Sequence, residues 1–297
     1  MNKIQLMSLR HSAFYTPYLM TMAGGFLKEQ GLEYEYQTET PQHTVANSFL
    51  NGSCDVAQSA VATSFAALEK LQRPAWMHFA QINSRDGFFI ASREPDLDFH
   101  WSKLQGKEVL VDHFFQPMAM FKYALMKNNV NYQLLQVHDA GDVNQIEQAF
   151  RDGKGDYVHM QGPVPQQLEY EEIGHVVASV GEAVGPVAFS SLCARPEWLQ
   201  TDIAKVFVRA YKNSVNYVLE ASPKELAARE QEAGFFTDIN ADVLASTIKA
   251  YQDLGCWQTD IDISPESYEN LLDVFIQSGG ITKRHAYNQL ISGAPVD

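Results

Sequence analysis

A chain of 297 residues has room for two domains of ordinary size. Its 45% hydrophobic, 20% charged and 11% aromatic content is that of a globular protein, and leaves disordered, collagen-like and solenoid readings unsupported. With 36 acidic against 22 basic residues the net charge is −14, which argues against a nucleic-acid partner, and polar residues interrupt every apolar run short of the roughly 18 residues of a membrane span.

Residues 4–9 read as a strand, 17–30 as a helix stopped by Gly31, 33–37 as a strand, 42–50 as a helix and 55–59 as a strand. A helix at 61–71 ends before Pro74, and two strands, 76–81 and 88–92, are joined by a turn over 83–87. After a polar connection at 94–107 the order restarts: strand 109–112, helix 117–127, strand 132–137, helix 143–150 and strand 156–159. The restart carries a residue signature. Phe49-x-x-Gly52-x-x-Asp55-x-Ala57 returns as Phe150-x-x-Gly153-x-x-Asp156-x-Val158, and Pro17 and Pro117 open the corresponding helices. From Thr201 onward the pattern is helical, with apolar stripes Ile203/Val206/Phe207/Ala210, Val243/Leu244/Thr247/Ile248/Tyr251 and Leu271/Leu272/Phe275/Ile276, and with Ser264 capping a helix opened by Pro265.

These elements give an α/β fold of two similar lobes: 1–93 plus 190–297, with the C-terminal helices packed on the first lobe, and 94–189. Residues 187–194 form the returning crossover, and the crossings near 91–93 and 190–192 are expected to act as hinges over a bound molecule.

In such sheets ligands bind beyond the carboxyl ends of the strands. The loops and helix starts there mark His11, Ser12, Tyr15, His43, Thr44, Ser59 and Asn83 in the first lobe as ligand-binding candidates, and His113, Phe114, Met160, Gln161 and Glu182, the last in a Gly-rich turn, in the second. Ser12, Thr44 and Ser59 serve equally well as helix caps. Of the loop histidines His11, His43, His113 and His159, no two have helical metal-ligand spacing, so hydrogen bonding to a ligand is favoured over a metal. Cys54, Cys193 and Cys256 are too few and too scattered for a disulfide framework or a zinc site. Phosphate-loop, dinucleotide and nucleophile-elbow motifs are missing, and no catalytic residue is assigned. The first ten residues reach Arg10 too soon for a signal peptide, so the sequence as it stands reads as cytoplasmic, and as periplasmic if a leader has been removed.

Three stretches resemble a known family. Ala23-Gly24-Gly25-Phe26-Leu27-Lys28-Glu29-Gln30-Gly31-Leu32, then Asn51-Gly52-Ser53-Cys54-Asp55-Val56-Ala57, then Leu104-Gln105-Gly106-Lys107-Glu108-Val109 are similar in order and text to the SsuA/THI5 (NMT1/THI5-like) family, over residues 4–195. The resemblance implies a type II periplasmic-binding-protein fold and a solute-binding protein taking a small polar or heteroaromatic molecule, such as a thiamine-precursor pyrimidine or a sulfonate. It implies an ABC-transporter permease as partner if the chain is exported. The alternative it implies is a cytosolic enzyme of pyrimidine or thiamine-type metabolism. The family's pyridoxal-phosphate-dependent synthase carries its cofactor on a Lys whose place is taken here by Ser59, and Thr63 stands where it has a reactive His, so no cofactor is expected.

Overall fold

The computed structural model describes residues 2–296. In chain order the elements are β1 (Asn2–Ser8), α1 (Thr16–Ala23), α2 (Phe26–Glu29), β2 (Leu32–Thr38), α3 (Val45–Asn51), β3 (Val56–Ser59), α4 (Phe65–Glu69), β4 (Met77–Asn83), β5 (Phe88–Ser92), β6 (Glu108–Val111) and α5 (Phe115–Lys127). They continue with β7 (Gln136–His138), α6 (Val143–Arg151), β8 (Tyr157–Gln161), α7 (Val164–Tyr170), β9 (His175–Ser179), α8 (Val180–Val184) and β10 (Ser190–Ala194). The helices α9 (Asp202–Glu220), α10 (Pro223–Glu232), α11 (Ala241–Asp253) and α12 (Pro265–Ser278) complete the chain.

Two compact units result. The first takes the chain up to Ser84, Val187–Leu272 and everything from Ile281; the second takes Arg85–Pro186 and Asp273–Gly280. Each holds one five-stranded sheet, in the order β2-β1-β3-β10-β4 in the first and β7-β6-β8-β5-β9 in the second. Four strands of each run the same way, and the fourth in sheet order runs against both its neighbours: β10 against β3 and β4, β5 against β8 and β9. The units therefore repeat one topology.

The repeated sequence motif explains part of that repetition. Gly52 and Gly153 both take positive φ, 78° and 87°, where a side chain is strained, and so end α3 and α6. Three residues on, Asp55 accepts from the backbone N–H of Gln5 on β1 (2.9 Å), and Asp156 from that of Glu108 on β6 (3.0 Å). Phe49 and Phe150, at the head of each motif, are buried. The same seven residues thus end a helix, turn the chain and pin the next strand to its parallel neighbour.

Several elements differ from the sequence reading. The helix expected over 17–30 is two, because Gly25 at φ 81° ends α1 and leaves α2 as a separate turn. Residues 132–134 are a single 3-10 turn, and the strand is only β7. The Gly-rich segment expected as a turn is the helix α8, capped by Ser179, whose hydroxyl accepts from the Glu182 N–H (3.2 Å). The strands at 76–81 and 88–92 are not partners: β4 lies in the first sheet and β5 in the second. The chain passes between units at Ser84/Arg85 and Pro186/Val187, so residues 91–92 and 190–192, expected near the crossings, lie inside paired strands.

Of the C-terminal helices, α9, α10 and α11 pack on the first unit, whereas α12 is divided between the units after Leu272. Ser214 on α9 donates to the Pro17 carbonyl on α1 (2.7 Å), Tyr211 to the Gln81 carbonyl (2.7 Å), and the Trp257 indole to the Phe14 carbonyl (3.1 Å). Ser264 caps α12, accepting from Ser267 N–H (3.1 Å).

Candidate functional site

Strand direction decides which residues meet. In the first unit the carboxyl ends of β1, β2 and β3 share one edge with the end of β4 and the start of the antiparallel β10. That edge gathers Ser8 to Ser12, Thr38, Ser59, Asn83 and Ser190. Asn83 is fully buried, with its amide N–H donating to the Phe14 carbonyl (2.7 Å) and its oxygen accepting from the Ser190 hydroxyl. Ser59 is 3% exposed and shares a hydrogen bond with Thr63 (3.1 Å). Ser12 caps the short turn after β1, accepting from Phe14 N–H (3.2 Å), and Tyr15 is buried beside Phe14. Asn83, Ser59, Ser12 and Tyr15 thus hold the edge together.

His11 keeps an exposed face there. Its Nδ1 lies 2.9 Å from the Tyr36 hydroxyl, and its ring stacks on Phe236 with centroids 4.4 Å apart. Partial burial lowers its pKa, against a smaller upward pull from Asp238, which favours the neutral ring near neutral pH. The partner Phe236 sits at φ 53°, a strained backbone for a bulky residue. His43 lies apart, exposed, in a turn closed on Thr40, and Thr44 caps α3 by accepting from Asn47 N–H (3.1 Å).

In the second unit the ends of β6, β8 and β9 share an edge with the start of β5. The strand expected to include Asp112 ends at Val111, so the alternation of faces stops before Asp112 and His113. Asp112 accepts from Phe114 N–H (2.8 Å) at the entrance to α5, and His113 Nδ1 lies 2.7 Å from the Val111 carbonyl. His113 is exposed, Phe114 is 49% exposed, and Gln161 is partly exposed at the end of β8. Met160 is 1% exposed and belongs to the core, packed with Ile146, Phe150 and Leu168. Glu182 is exposed in a surface hollow along β9 with Phe99, Trp101 and Lys127.

The residue types that sequence reading passed over are the buried acids. Asp86, at the start of β5, is fully buried; one carboxylate oxygen accepts from Phe88 N–H (2.6 Å) and the other has no partner. Burial, with Asp112 adding repulsion, pushes its pKa up to about 7. His159 stacks on Phe88 (4.7 Å) with both ring nitrogens unpartnered, and burial pushes it down to about 3. In the first unit Glu230 on α10 is fully buried, neither oxygen is in hydrogen-bonding geometry with a donor, and burial pushes it up to about 8 despite a lesser downward pull from Thr16. His78 is held between Ser64 (3.0 Å) and Ser191 (2.8 Å), all three sealed from solvent, so this Ser–His–Ser line braces the core and offers no accessible nucleophile.

No family model matches the chain. Over 296 residues it is 28% identical to a Bacillus subtilis (strain 168) protein named "Putative binding protein YtlA", covering 98% of this chain and 88% of that one. The ligand-binding component of an ABC-type import system from Staphylococcus aureus, solved with zinc bound, matches with a TM-score of 0.75 at 14% identity, over 99% of this chain and 97% of that one. The periplasmic aliphatic sulphonate binding protein SsuA from Escherichia coli matches with a TM-score of 0.74 at 12% identity, over 100% and 94%. The fold is that of the periplasmic binding proteins.

In a periplasmic-binding-protein fold the strand-end edges are where a ligand is sought. Among the described residues no three His, Cys, Asp or Glu side chains are grouped to hold a metal ion, and no helix is long and apolar enough to cross a membrane. The loop histidines are separated by their surroundings: His11 and His113 keep exposed faces at their edges, His43 lies in an outlying turn and His159 is in a core.

Proposed function

We propose that this chain is a solute-binding protein of the NMT1/THI5-like kind, serving an ABC-type importer when exported, and that each unit offers its strand-end edge to a small polar or heteroaromatic molecule such as a thiamine-precursor pyrimidine or a sulfonate. The whole-chain likeness to ligand-binding components of importers, over nearly the full length of both partners, carries this reading. His11 at the edge of the first unit, and His113, Phe114 and Gln161 at the edge of the second, are the sequence-marked residues that keep exposed surface there, and each is proposed to contact a solute held at its own edge. Phe114 would stack on a flat ring, and the histidines and Gln161 would exchange hydrogen bonds with polar ring substituents.

Thermal-shift screening against thiamine precursors, alkane sulfonates, amino acids and nucleobases tests it. A true ligand at 100 times its Kd adds about 2.7 kcal/mol of apparent stability, a shift of several degrees. His11→Ala and Phe114→Ala should each weaken binding about tenfold or more. A screen in which no class of solute stabilises the protein would overturn the reading.

A further inference from the structure

The first unit carries an aromatic cluster at its strand-end edge that neither the repeated motif nor the sheet explains. His11 follows β1, Tyr36 stands near the end of β2, and Phe235 and Phe236 come from the connection between α10 and α11; all four belong to the first unit. The His11 ring stacks on Phe236 with centroids 4.4 Å apart and planes 28° apart, and Phe235 lies tilted beside it at 5.4 Å. Tyr36 meets Phe235 edge-on at 5.5 Å. A cluster formed for packing alone would be closed to water. Here Phe236 is 6% exposed and Phe235 half-buried, while His11 is exposed.

Two contacts fix the His11 ring. The Tyr36 hydroxyl, 2.9 Å from Nδ1 and itself donating to Ser8 (3.0 Å), holds it by one edge, and Phe236 holds it by one face. The connection that supplies Phe236 is both strained and braced. Gly234 at φ 89° turns the chain out of α10, and Phe236 follows at φ 53°, a backbone that bulky residues rarely adopt. Gln231 on α10 holds the turn by donating its amide to the carbonyls of Phe236 (3.1 Å) and Ile239 (2.8 Å), and the Ile239 N–H donates to the Phe236 carbonyl (3.1 Å). Strain of this kind persists where the surrounding structure overdetermines it, and it clusters at ligand clamps.

We propose that Phe236 and Phe235 make His11 a stacking platform for a flat ring: Phe236 backs the His11 ring, Phe235 walls its side, and the solute lies on the face that Phe236 leaves open. This rests on the solute-binding reading and narrows it. The solute at the first-unit edge is a planar aromatic or heteroaromatic molecule with a polar substituent, whereas an alkane sulfonate has no flat surface to lay on the platform. Stacking on a ring already held in place adds about three- to tenfold in affinity beyond the area buried.

Benzamide and cyclohexanecarboxamide, which share a carboxamide and differ in the flatness of the ring, are the probes. Each is titrated into the intact chain at pH 8, where His11 is neutral, and followed by NMR. Benzamide should bind about three- to tenfold tighter, and should move the His11 Cε1–H resonance upfield through the ring current of the stacked probe. Phe236→Leu keeps apolar bulk and removes the backing ring, so it should weaken benzamide more than its saturated counterpart and bring the ratio of affinities near one. Phe235→Leu, at a less buried position, makes the same test if the first variant folds poorly. Equal affinity for the two probes, benzamide binding that leaves the His11 resonance in place, or a ratio that persists in the variants would overturn the platform and leave the solute-binding reading standing. Binding of neither probe would also overturn the platform, while the solute-binding reading would still stand or fall by the broader screen.

Discussion

Glu230 carries a cost that depends on pH. An unfolded glutamate ionises near 4.5, whereas in the folded chain burial holds this carboxyl protonated up to about 8. Its folded pKa is raised, so between these values the unfolded chain has given up a proton that the folded chain retains, and stability falls as pH rises, by up to about 1.4 kcal/mol per pH unit. Below pH 4.5 this penalty is absent. Glu230→Gln removes the titration, so urea unfolding at pH 5, 6.5 and 8 should show the variant gaining on the parent chain at each step. A constant difference across the three would mean that Glu230 reaches water. Asn83 shows the opposite economy: buried, with donor and acceptor both used, it should cost about 1–3 kcal/mol when replaced by alanine, through the Ser190 hydroxyl left without its acceptor and the Phe14 carbonyl left with the Trp257 indole alone.

Among elements, the helix–turn–strand unit is the piece that recurs, and its aspartate is the part most open to test. Asp55→Ala and Asp156→Ala each remove a carboxylate acceptor from a neighbouring parallel strand, at Gln5 within β1 and at Glu108 at the start of β6, and each should cost about 1.5–3 kcal/mol, measured by chemical denaturation. Hydrogen exchange should place the loss at the Gln5 amide in the first variant and at the Glu108 amide in the second. This unit was legible in the sequence because everything it needs is local: a buried Phe, a glycine at positive φ and an aspartate, at fixed spacing. The partner of β5 was not legible. Five apolar residues state that a strand exists but not which sheet takes it, and the short 83–87 link mimicked a hairpin. Asp86 was hidden in that same link, because an acidic residue in a turn reads as solvated until tertiary structure buries it. Met160 was misjudged for a related reason: the end of β8 was legible, but which face its residues present to the core depends on α6 and α7 packing there.

Over the whole molecule, the chain changes units at Ser84/Arg85, Pro186/Val187, Leu272/Asp273 and Gly280/Ile281. The last excursion gives the second unit Phe275, fully buried, with its ring 4.7 Å from that of Phe115 on α5. Phe275→Ala should cost about 3–5 kcal/mol, and should lower the calorimetric transition of the second unit before that of the first if the two unfold separately. A single cooperative transition shifted as a whole would show instead that the units unfold together.

The place of β10 in the first sheet has a consequence for how the protein is made. β10 lies between β3 and β4, yet more than a hundred residues separate it from either along the chain, and all five strands of the second sheet are translated before it. On the ribosome, therefore, β4 emerges early but has no neighbour to pair with until residue 194 has been synthesised and extruded. The second sheet has all its strands before the first does, and until β10 follows, β3 and β4 each leave open the edge that it will cover, the stage at which this chain is expected to be most exposed to aggregation.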